Sequence, residues 1–405
     1  MGIEERDAAR AMFPPLDAMA AAAALAGTRD VVVDAAATIR GYLYAAPDAK
    51  AAYAMALRFG TYLAGLFPGP RTFHLLLEGD VPPQKTYERG LRSAARAAAA
   101  ARKGTPLDAP VAQMPGLHPS VLAAADAVAG ADVPRDAVTL RQALRQYARG
   151  DLAELAAEAG EMADDAVRRE VVHLLLPRLE EVARARAVAL AGDATCVIGA
   201  CDDMPPEGEA RALPYARALG RPCVFVGNDT DIFVIALLTV PRFADHPPVY
   251  YYDIARTRVN AKAKMGPHVV DLVACARAVP AGTHRSRALT LLLCGNDYVP
   301  PPDVTHMTLH KLSAKRRRCA TESHVPIYEA AYAVVAAAPD ADALAGLVSL
   351  RFSAKAAYTA AHVAPYVRRA LVAVEYYGAA TRAEVPAQDV WLAHGWRSAT
   401  EPERV

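Results

Sequence analysis

Asp30-Val-Val-Val-Asp34 is a run of β-branched residues without polar alternation, and it ends on a carboxylate. Such a run predicts a strand that is covered on both faces of a sheet. Four similar apolar runs follow along the chain, at Thr72–Leu77, Thr195–Gly199, Pro222–Val226 and Val249–Asp253. Because helical sequence separates the strands, we predict an α/β fold with a mainly parallel central sheet and helices on both faces.

The sequence between and after the strands is rich in alanine and predicts helices. We expect these helices over 36–66, 84–102, 117–191 (with breaks near Gly130, Gly160 and Pro177), 268–279, 286–295 and most of 325–378. The pattern divides the chain into sheet segments at 1–103 and 194–300, a large helical insertion at 104–193 and a helical C-terminal region at 301–405.

Charge and cysteine content restrict the partners and the compartment. The 405 residues carry a net charge of +1, so any surface that binds nucleic acid must be a local stripe of positive charge. The six cysteines show no Cys-x-x-Cys pair, which fits a reducing intracellular compartment, with nucleus or cytoplasm left open. We expect no membrane partner, because no apolar run reaches the roughly 18 residues of a membrane-spanning helix. We also expect a monomer.

Seven acidic residues stand where predicted elements begin or end. They are Asp34, Glu78, Glu207, Glu209, Asp229, Asp231 and Asp297. Each alone reads as a helix cap or a turn residue. Together they predict one cluster, because the carboxyl ends of parallel strands meet at the same edge of a sheet.

A cluster of carboxylates is costly unless cations neutralise it. The set contains oxygen ligands without His or Cys, which indicates Mg²⁺ or Mn²⁺. Two such ions about 4 Å apart can activate a water molecule and stabilise the leaving oxygen of a phosphodiester. The sequence therefore predicts a centre of divalent ions that is capable of phosphodiester hydrolysis.

Five motifs, in this order, resemble those of the 5′-nuclease superfamily, which includes flap endonucleases, XPG-type repair nucleases and 5′→3′ exoribonucleases. The motifs are Val31-Val-Val-Asp34-Ala-Ala36, Leu77-Glu78-Gly-Asp-Val-Pro-Pro-Gln-Lys85, Pro206-Glu-Gly-Glu-Ala210, Asn228-Asp-Thr-Asp-Ile232 and Leu293-Cys-Gly-Asn-Asp-Tyr298. The resemblance implies a PIN-like nuclease core, built from 1–103 and 194–300. It places Asp34, Glu78, Glu207 and Glu209 around one metal, and Asp229, Asp231 and Asp297 around the other.

The resemblance also implies that Lys85 and Arg92 approach the scissile phosphate. They lie seven residues apart on the predicted basic helix and therefore share one helix face. Both side chains can stabilise phosphate charge, so we take them as the candidate catalytic residues.

The sequence departs from the family pattern in three places. The family usually has Asp where Glu78 stands, and Asp80 is an alternative ligand. The insertion is either an enlarged arch, with Arg141, Arg145 and Arg149 facing the strand, or a structural addition. After Asp297 the chain lacks the glycines of the family's duplex-binding helix–two-turn–helix, which argues against duplex binding of that type. The sequence leaves DNA or RNA, and endo- or exonucleolytic cutting, open. Viral members of the superfamily also depart from the cellular pattern.

Two functions remain after this comparison. The first is a Mg²⁺-dependent phosphodiester hydrolase, and the second is a catalytically silent member that binds nucleic acid or acts as a scaffold. The seven acids favour the enzyme, because a scaffold gains nothing from clustered repulsion. The basic run Lys311–Arg318 has three interpretations: a segment that binds backbone phosphates, a nuclear signal, or a solvated run of charges.

Overall fold

The fold is seen in a computed structural model. It describes residues 6–78, 83–85, 90, 94, 98–102, 105–130, 133–189, 195–198, 202–262, 265–293, 325–338, 340–349, 359–394, 396–398 and 401–402. The chain forms two compact units. The first comprises Met1–Ala35, Thr72–Glu88 and Val197–Val405, and the second comprises Ala36–Arg71 and Arg89–Cys196. The domain boundaries expected from the sequence stay a prediction.

A six-stranded sheet has the order β3-β2-β1-β4-β5-β6. Its strands are β1 (Asp30–Asp34), β2 (Thr72–Leu76), β3 (Thr195–Ile198), β4 (Cys223–Gly227), β5 (Val249–Asp253) and β6 (Val269–Asp271). β1 pairs in parallel with β2 and with β4, and β4 pairs in parallel with β5. The predicted α/β class with a mainly parallel sheet is therefore confirmed.

The sixth strand corrects the prediction of helix over 268–279. Val269–Asp271 pairs antiparallel with β5, and the helix begins only at Leu272. Asp271 ends the strand and caps the helix, because its side chain accepts a hydrogen bond from the amide of Ala274. Three strand residues followed directly by a helix give no alternation long enough to be recognised in the sequence.

The α-helices are distributed along both units. In chain order they are α1 (Arg6–Met12), α2 (Ala18–Gly27), α3 (Ala35–Leu43), α4 (Ala49–Leu57), α5 (Phe59–Leu66), α6 (Pro119–Val128), α7 (Leu140–Tyr147), α8 (Leu152–Ala159), α9 (Asp165–Ala189), α10 (Gly208–Leu219), α11 (Asp231–Thr239), α12 (Ile254–Lys262), α13 (Leu272–Ala278), α14 (His284–Leu292), α15 (Val325–Ala336), α16 (Ala341–Ser349), α17 (Ala360–Gly378) and α18 (Gln388–Ala393). A short antiparallel pair, β7 (Trp396–Ser398) and β8 (Glu401–Pro402), follows. No helix within the described ranges is long and apolar enough to cross a lipid bilayer.

Helix α11 forms the centre of the core of the first unit. Its sequence Asp231-Ile-Phe-Val-Ile-Ala-Leu-Leu-Thr239 is apolar after the first residue, and nearly all of it is buried. Phe13 stacks on Phe233 with ring centroids 4.9 Å apart. Because the helix is held from several sides, its first residue, Asp231, has a fixed position.

The second unit is built on α9, a helix of 25 residues. A break near Pro177 is predicted, but the helix continues through this residue. Pro177 is exposed, while Leu175, Leu176 and Leu179 around it are buried. The burial of these side chains offsets the cost of about 3 kcal/mol for a proline inside a helix.

Candidate metal centre

Three parallel strands bring acidic residues to the same edge of the sheet. Asp34 is the last residue of β1 and pairs with Leu76, the last residue of β2. Glu78 lies two residues after the end of β2. Asp229 likewise lies two residues after Gly227, the last residue of β4. Asp34 is buried, while Glu78 and Asp229 are half-buried.

Glu207 and Glu209 enter the centre from the start of α10. Glu207 stands before the helix as its N-cap, and Glu209 lies in its first turn. Gly208 between them packs directly on Asp34, because a β-carbon added there would lie 2.8 Å from Asp34 Oδ1. Only glycine allows the helix start to approach the end of β1 this closely.

Glu209, Asp229 and Asp231 form the tightest group. Each offers one carboxylate oxygen, and these oxygens all lie within 4.8 Å of one another. The amide of Asp231 donates a 3.2 Å hydrogen bond to Asp229 Oδ1, which fixes the turn between β4 and α11. Glu209 thus lies with the two aspartates, whereas the resemblance assigns it to the group around Asp34.

Lys85 supplies positive charge to this centre. Its ammonium group donates a hydrogen bond to Glu207 Oε1 and lies 3.7 Å from Glu209 Oε1. Glu207 is fully buried, and its Oε2 has no hydrogen-bond partner among the residues that the structure describes. A buried carboxylate oxygen of this kind is suited to bind a cation.

The carboxylates of the centre repel one another. Burial first, and then the carboxylates of Glu207, Asp34 and Asp229, raise the pKa of Glu209 well above its usual value, although Lys85 lowers it. A divalent cation would remove this repulsion, so the oxygen-only donor set fits Mg²⁺ or Mn²⁺.

A tyrosine from α17 holds one of the acids in place. Tyr377 Oη donates a 2.5 Å hydrogen bond to Asp231 Oδ2, and both groups are buried. A second tyrosine acts on the neighbouring turn, because Tyr251 Oη donates to the backbone carbonyl of Asp229 at 3.0 Å. Burial and the nearby acids raise the pKa of Tyr251, so its phenol stays a hydrogen-bond donor.

Arg211 connects two of the segments that carry acids. Its Nε donates a 2.5 Å hydrogen bond to the carbonyl of Pro205, and its Nη1 donates to the carbonyl of Leu77. These carbonyls lie next to the turns that lead to Glu207 and Glu78. The guanidinium group therefore fixes the spacing between the two turns.

Several predicted residues lie outside the described part of the chain. They are Asp80, Arg92, Asp297 and the basic run Lys311–Arg318. The predicted basic helix is described only in part, and Lys85, Gly90, Ala94 and 98–102 are helical. The arginines Arg141, Arg145 and Arg149 belong to the second unit, where Arg141 forms an ion pair with Asp108.

Three residues of the centre had no signal strong enough to be found in the sequence. Gly208 stands in the Glu-x-Glu motif, where the small residue could have been read as a sign of close backbone approach. Arg211 and Tyr377 carry no such signal, because each acts through a contact with a residue far away in sequence.

Neither a model of a known protein family nor the sequence of a characterised protein matches this chain.

Proposed function

We propose that this protein is a divalent-metal-dependent nuclease of the 5′-nuclease type, which hydrolyses phosphodiester bonds in DNA or RNA. The observation that carries the proposal is the convergence of Glu209, Asp229 and Asp231 within 4.8 Å. These acids come from two segments of the chain, and the elements that carry them lie in the same unit as Asp34, Glu207 and Lys85. A crowded set of carboxylates, most of them buried, has a chemical use if it binds cations.

The proposed ligands follow from these positions. Glu209, Asp229 and Asp231 would hold one ion, and Asp34 and Glu207 would be ligands of a second ion beside it. A bound Mg²⁺ or Mn²⁺ supplies Lewis-acid stabilisation of a phosphoryl oxygen and lowers the pKa of a water molecule. The remaining assignments, Glu78 and Asp297 as ligands and a PIN-like core with an inserted arch, are part of the same proposal.

Lys85 and Arg92 bind phosphate in this proposal, whereas the acids bind metal. The Lys85 ammonium group holds Glu207 and lies close to Glu209. When a substrate phosphate approaches, the same group can donate to a phosphate oxygen, because it has three N–H donors on a flexible stem. Arg92 is proposed to act beside it.

The second candidate is a silent member of the superfamily that binds nucleic acid without cutting it. The burial of Asp34, Glu207, Glu209 and Asp231 argues against it. Buried charges that repel one another destabilise the fold, and a scaffold would gain from their replacement by apolar residues.

Cleavage assays on the full chain test the proposal. The substrates are labelled 5′-flap DNA, 5′-phosphorylated single-stranded DNA and single-stranded RNA, each with Mg²⁺, Mn²⁺, Ca²⁺ or EDTA. We expect cutting of at least one substrate with Mg²⁺ or Mn²⁺, little with Ca²⁺ and none with EDTA. Full activity in EDTA, or no cutting of any substrate, would contradict the proposal.

Asp231→Asn assigns the activity to this centre. It keeps the shape of the side chain but removes a ligand charge, so we expect a loss of at least about a hundredfold in single-turnover rate. The matched control is Asp340→Asn, which changes an exposed helix-capping aspartate whose side chain accepts from the amide of Ala343. A contaminating nuclease would be unaffected by either change.

A further inference from the structure

A polar cleft of about 520 Å³ lies in the second unit, formed by the chain around Tyr44–Asp48 and by the first turns of α9. Its volume lies within the range of about 300–1,000 Å³ that is usual for small-molecule sites. A smaller cavity of about 200 Å³, with Ala99, Ala100 and Leu107 in its wall, shares Asp165, Arg169 and His173 with the cleft. The two spaces therefore adjoin and offer an apolar and a polar compartment.

An exposed aromatic ring stands in the wall of the cleft. Half of Tyr44 is exposed. Its ring lies against His173, with centroids 5.3 Å apart and an interplanar angle of 57°. His173 thus supports one side of Tyr44, and the exposed area of the ring is available to a flat ligand.

The charges of the cleft leave one arginine available. Asp165 forms an ion pair with Arg168, and Asp48 accepts a hydrogen bond from the amide of Ala51 as the cap of α4. Arg169 is exposed, and its guanidinium group has no hydrogen bond or ion pair to any other described residue. A guanidinium group beside an exposed aromatic ring is suited to a ligand that combines a flat base with a phosphate.

We propose that this cleft binds one nucleotide unit of a single-stranded nucleic acid, with its base stacked on Tyr44 and its phosphate bound by Arg169. The inference rests on the proposed function only for the class of ligand, since every residue of the cleft belongs to the second unit and none to the candidate metal centre. The site supplies a stacking ring and one guanidinium group without an ion-pair partner among the described residues, so it accepts any base.

Binding is measured in EDTA with the Asp231→Asn protein, so that cutting does not interfere. The probes are fluorescein-labelled eight-nucleotide strands of oligo(U) and oligo(dT), followed by fluorescence anisotropy at several salt concentrations. Tyr44→Ala should weaken binding about tenfold, because it removes a stacking platform, whereas Tyr44→Phe should retain it. Arg169→Ala should weaken binding and lower the slope of the salt dependence by about 1.

Arg186→Ala is the matched control, because it removes an exposed arginine from the same helix outside the cleft. It should change neither affinity nor salt slope. Unchanged binding in both Tyr44→Ala and Arg169→Ala would overturn the inference, and so would equal weakening by Arg186→Ala.

Photo-crosslinking gives a second readout that does not depend on a variant. A strand with 5-iodouracil should crosslink to Tyr44 or His173, as located by mass spectrometry of the peptides. Crosslinks found only elsewhere would overturn the inference. If the protein cuts with Mg²⁺ but the cleft variants bind normally, the proposed function holds and the inference about the cleft fails. If the cleft variants bind more weakly but no substrate is cut, the inference holds and the proposed function fails.

Discussion

Tyr377 Oη donates a hydrogen bond to Asp231 Oδ2 across 146 residues of sequence. The tyrosine belongs to α17 and the aspartate begins α11, so a late helix of the chain determines how a carboxylate of the candidate metal centre is oriented. Hydrogen bonds behind a ligand of this kind fix its geometry and tune its affinity for metal.

Tyr377→Phe should weaken Mn²⁺ binding by about tenfold or more, because Asp231 loses the donor that fixes its rotation. Isothermal titration calorimetry on the purified full chain measures the change. Tyr366→Phe is the control, since it removes a buried hydroxyl of the same helix that donates to the carbonyl of Leu293. Equal Mn²⁺ affinity in wild type and Tyr377→Phe would show that the tyrosine serves only the packing of α17.

Gly208→Ala should separate activity from stability. The added methyl group would lie 2.8 Å from Asp34 Oδ1 and must displace that carboxylate. We expect a loss of about a hundredfold in cleavage rate, as for a misplaced catalytic group. The free energy of unfolding should change by less than about 1 kcal/mol, because alanine is the better helix former.

Gly346→Ala is the control for this change. Gly346 lies in α16, and a β-carbon added there would have no atom within 4 Å. It should leave the cleavage rate unchanged. A Gly208→Ala protein that cuts at the wild-type rate would show that the position of Asp34 is unimportant.

Lys85→Met should destabilise the metal-free protein. It leaves Glu207 as a fully buried carboxylate without its ammonium partner, and such a loss costs about 3–5 kcal/mol. Urea unfolding in EDTA measures the effect, and adding Glu207→Gln should restore most of the stability. The control is Arg285→Met, which breaks the exposed ion pair with Glu375 and should lower the free energy of unfolding by about 1 kcal/mol or less. Equal losses of stability in Lys85→Met and Arg285→Met would contradict a stabilising role for the buried pair of Lys85 and Glu207.

Glu209 should make the metal-free protein less stable as pH rises. Burial and the neighbouring carboxylates raise its pKa well above the ordinary 4.5, so the folded state holds a proton that the unfolded chain has released. The stability therefore falls as pH rises from about 4.5 through the raised pKa, by about 1.4 kcal/mol for every pH unit in this window.

Glu209→Gln removes this dependence. The difference in Tm between the variant and wild type in EDTA should grow from pH 5 to pH 8 and shrink when Mg²⁺ is added. The exposed Glu181→Gln serves as the control for the loss of a carboxylate. A difference that stays constant with pH would contradict the raised pKa.

The sheet could be predicted because its determinants are local. The five predicted strands form at nearly the predicted residues, since each is a short, mostly apolar run between breaks. Val269–Asp271 and the helix through Pro177 could not be predicted, because both depend on packing against residues distant in sequence.

The candidate centre shows the same division. Asp34, Glu207, Glu209, Asp229 and Asp231 are recognisable from their places at element ends, and parallel pairing explains why strand ends meet. The partners that orient them are not recognisable. Tyr377 looks like any aromatic residue of an amphipathic helix, and its role follows only from tertiary structure.

The hydrogen bond between Tyr377 and Asp231 can form only after the ribosome has synthesised Tyr377. At a synthesis rate of about 5–20 residues per second, the 146 residues between them take roughly 7–29 s to be made. During this interval the emerging chain already carries the acids of β1, α10 and β4 but lacks the hydroxyl that orients Asp231. The centre is therefore complete only after translation has passed α17.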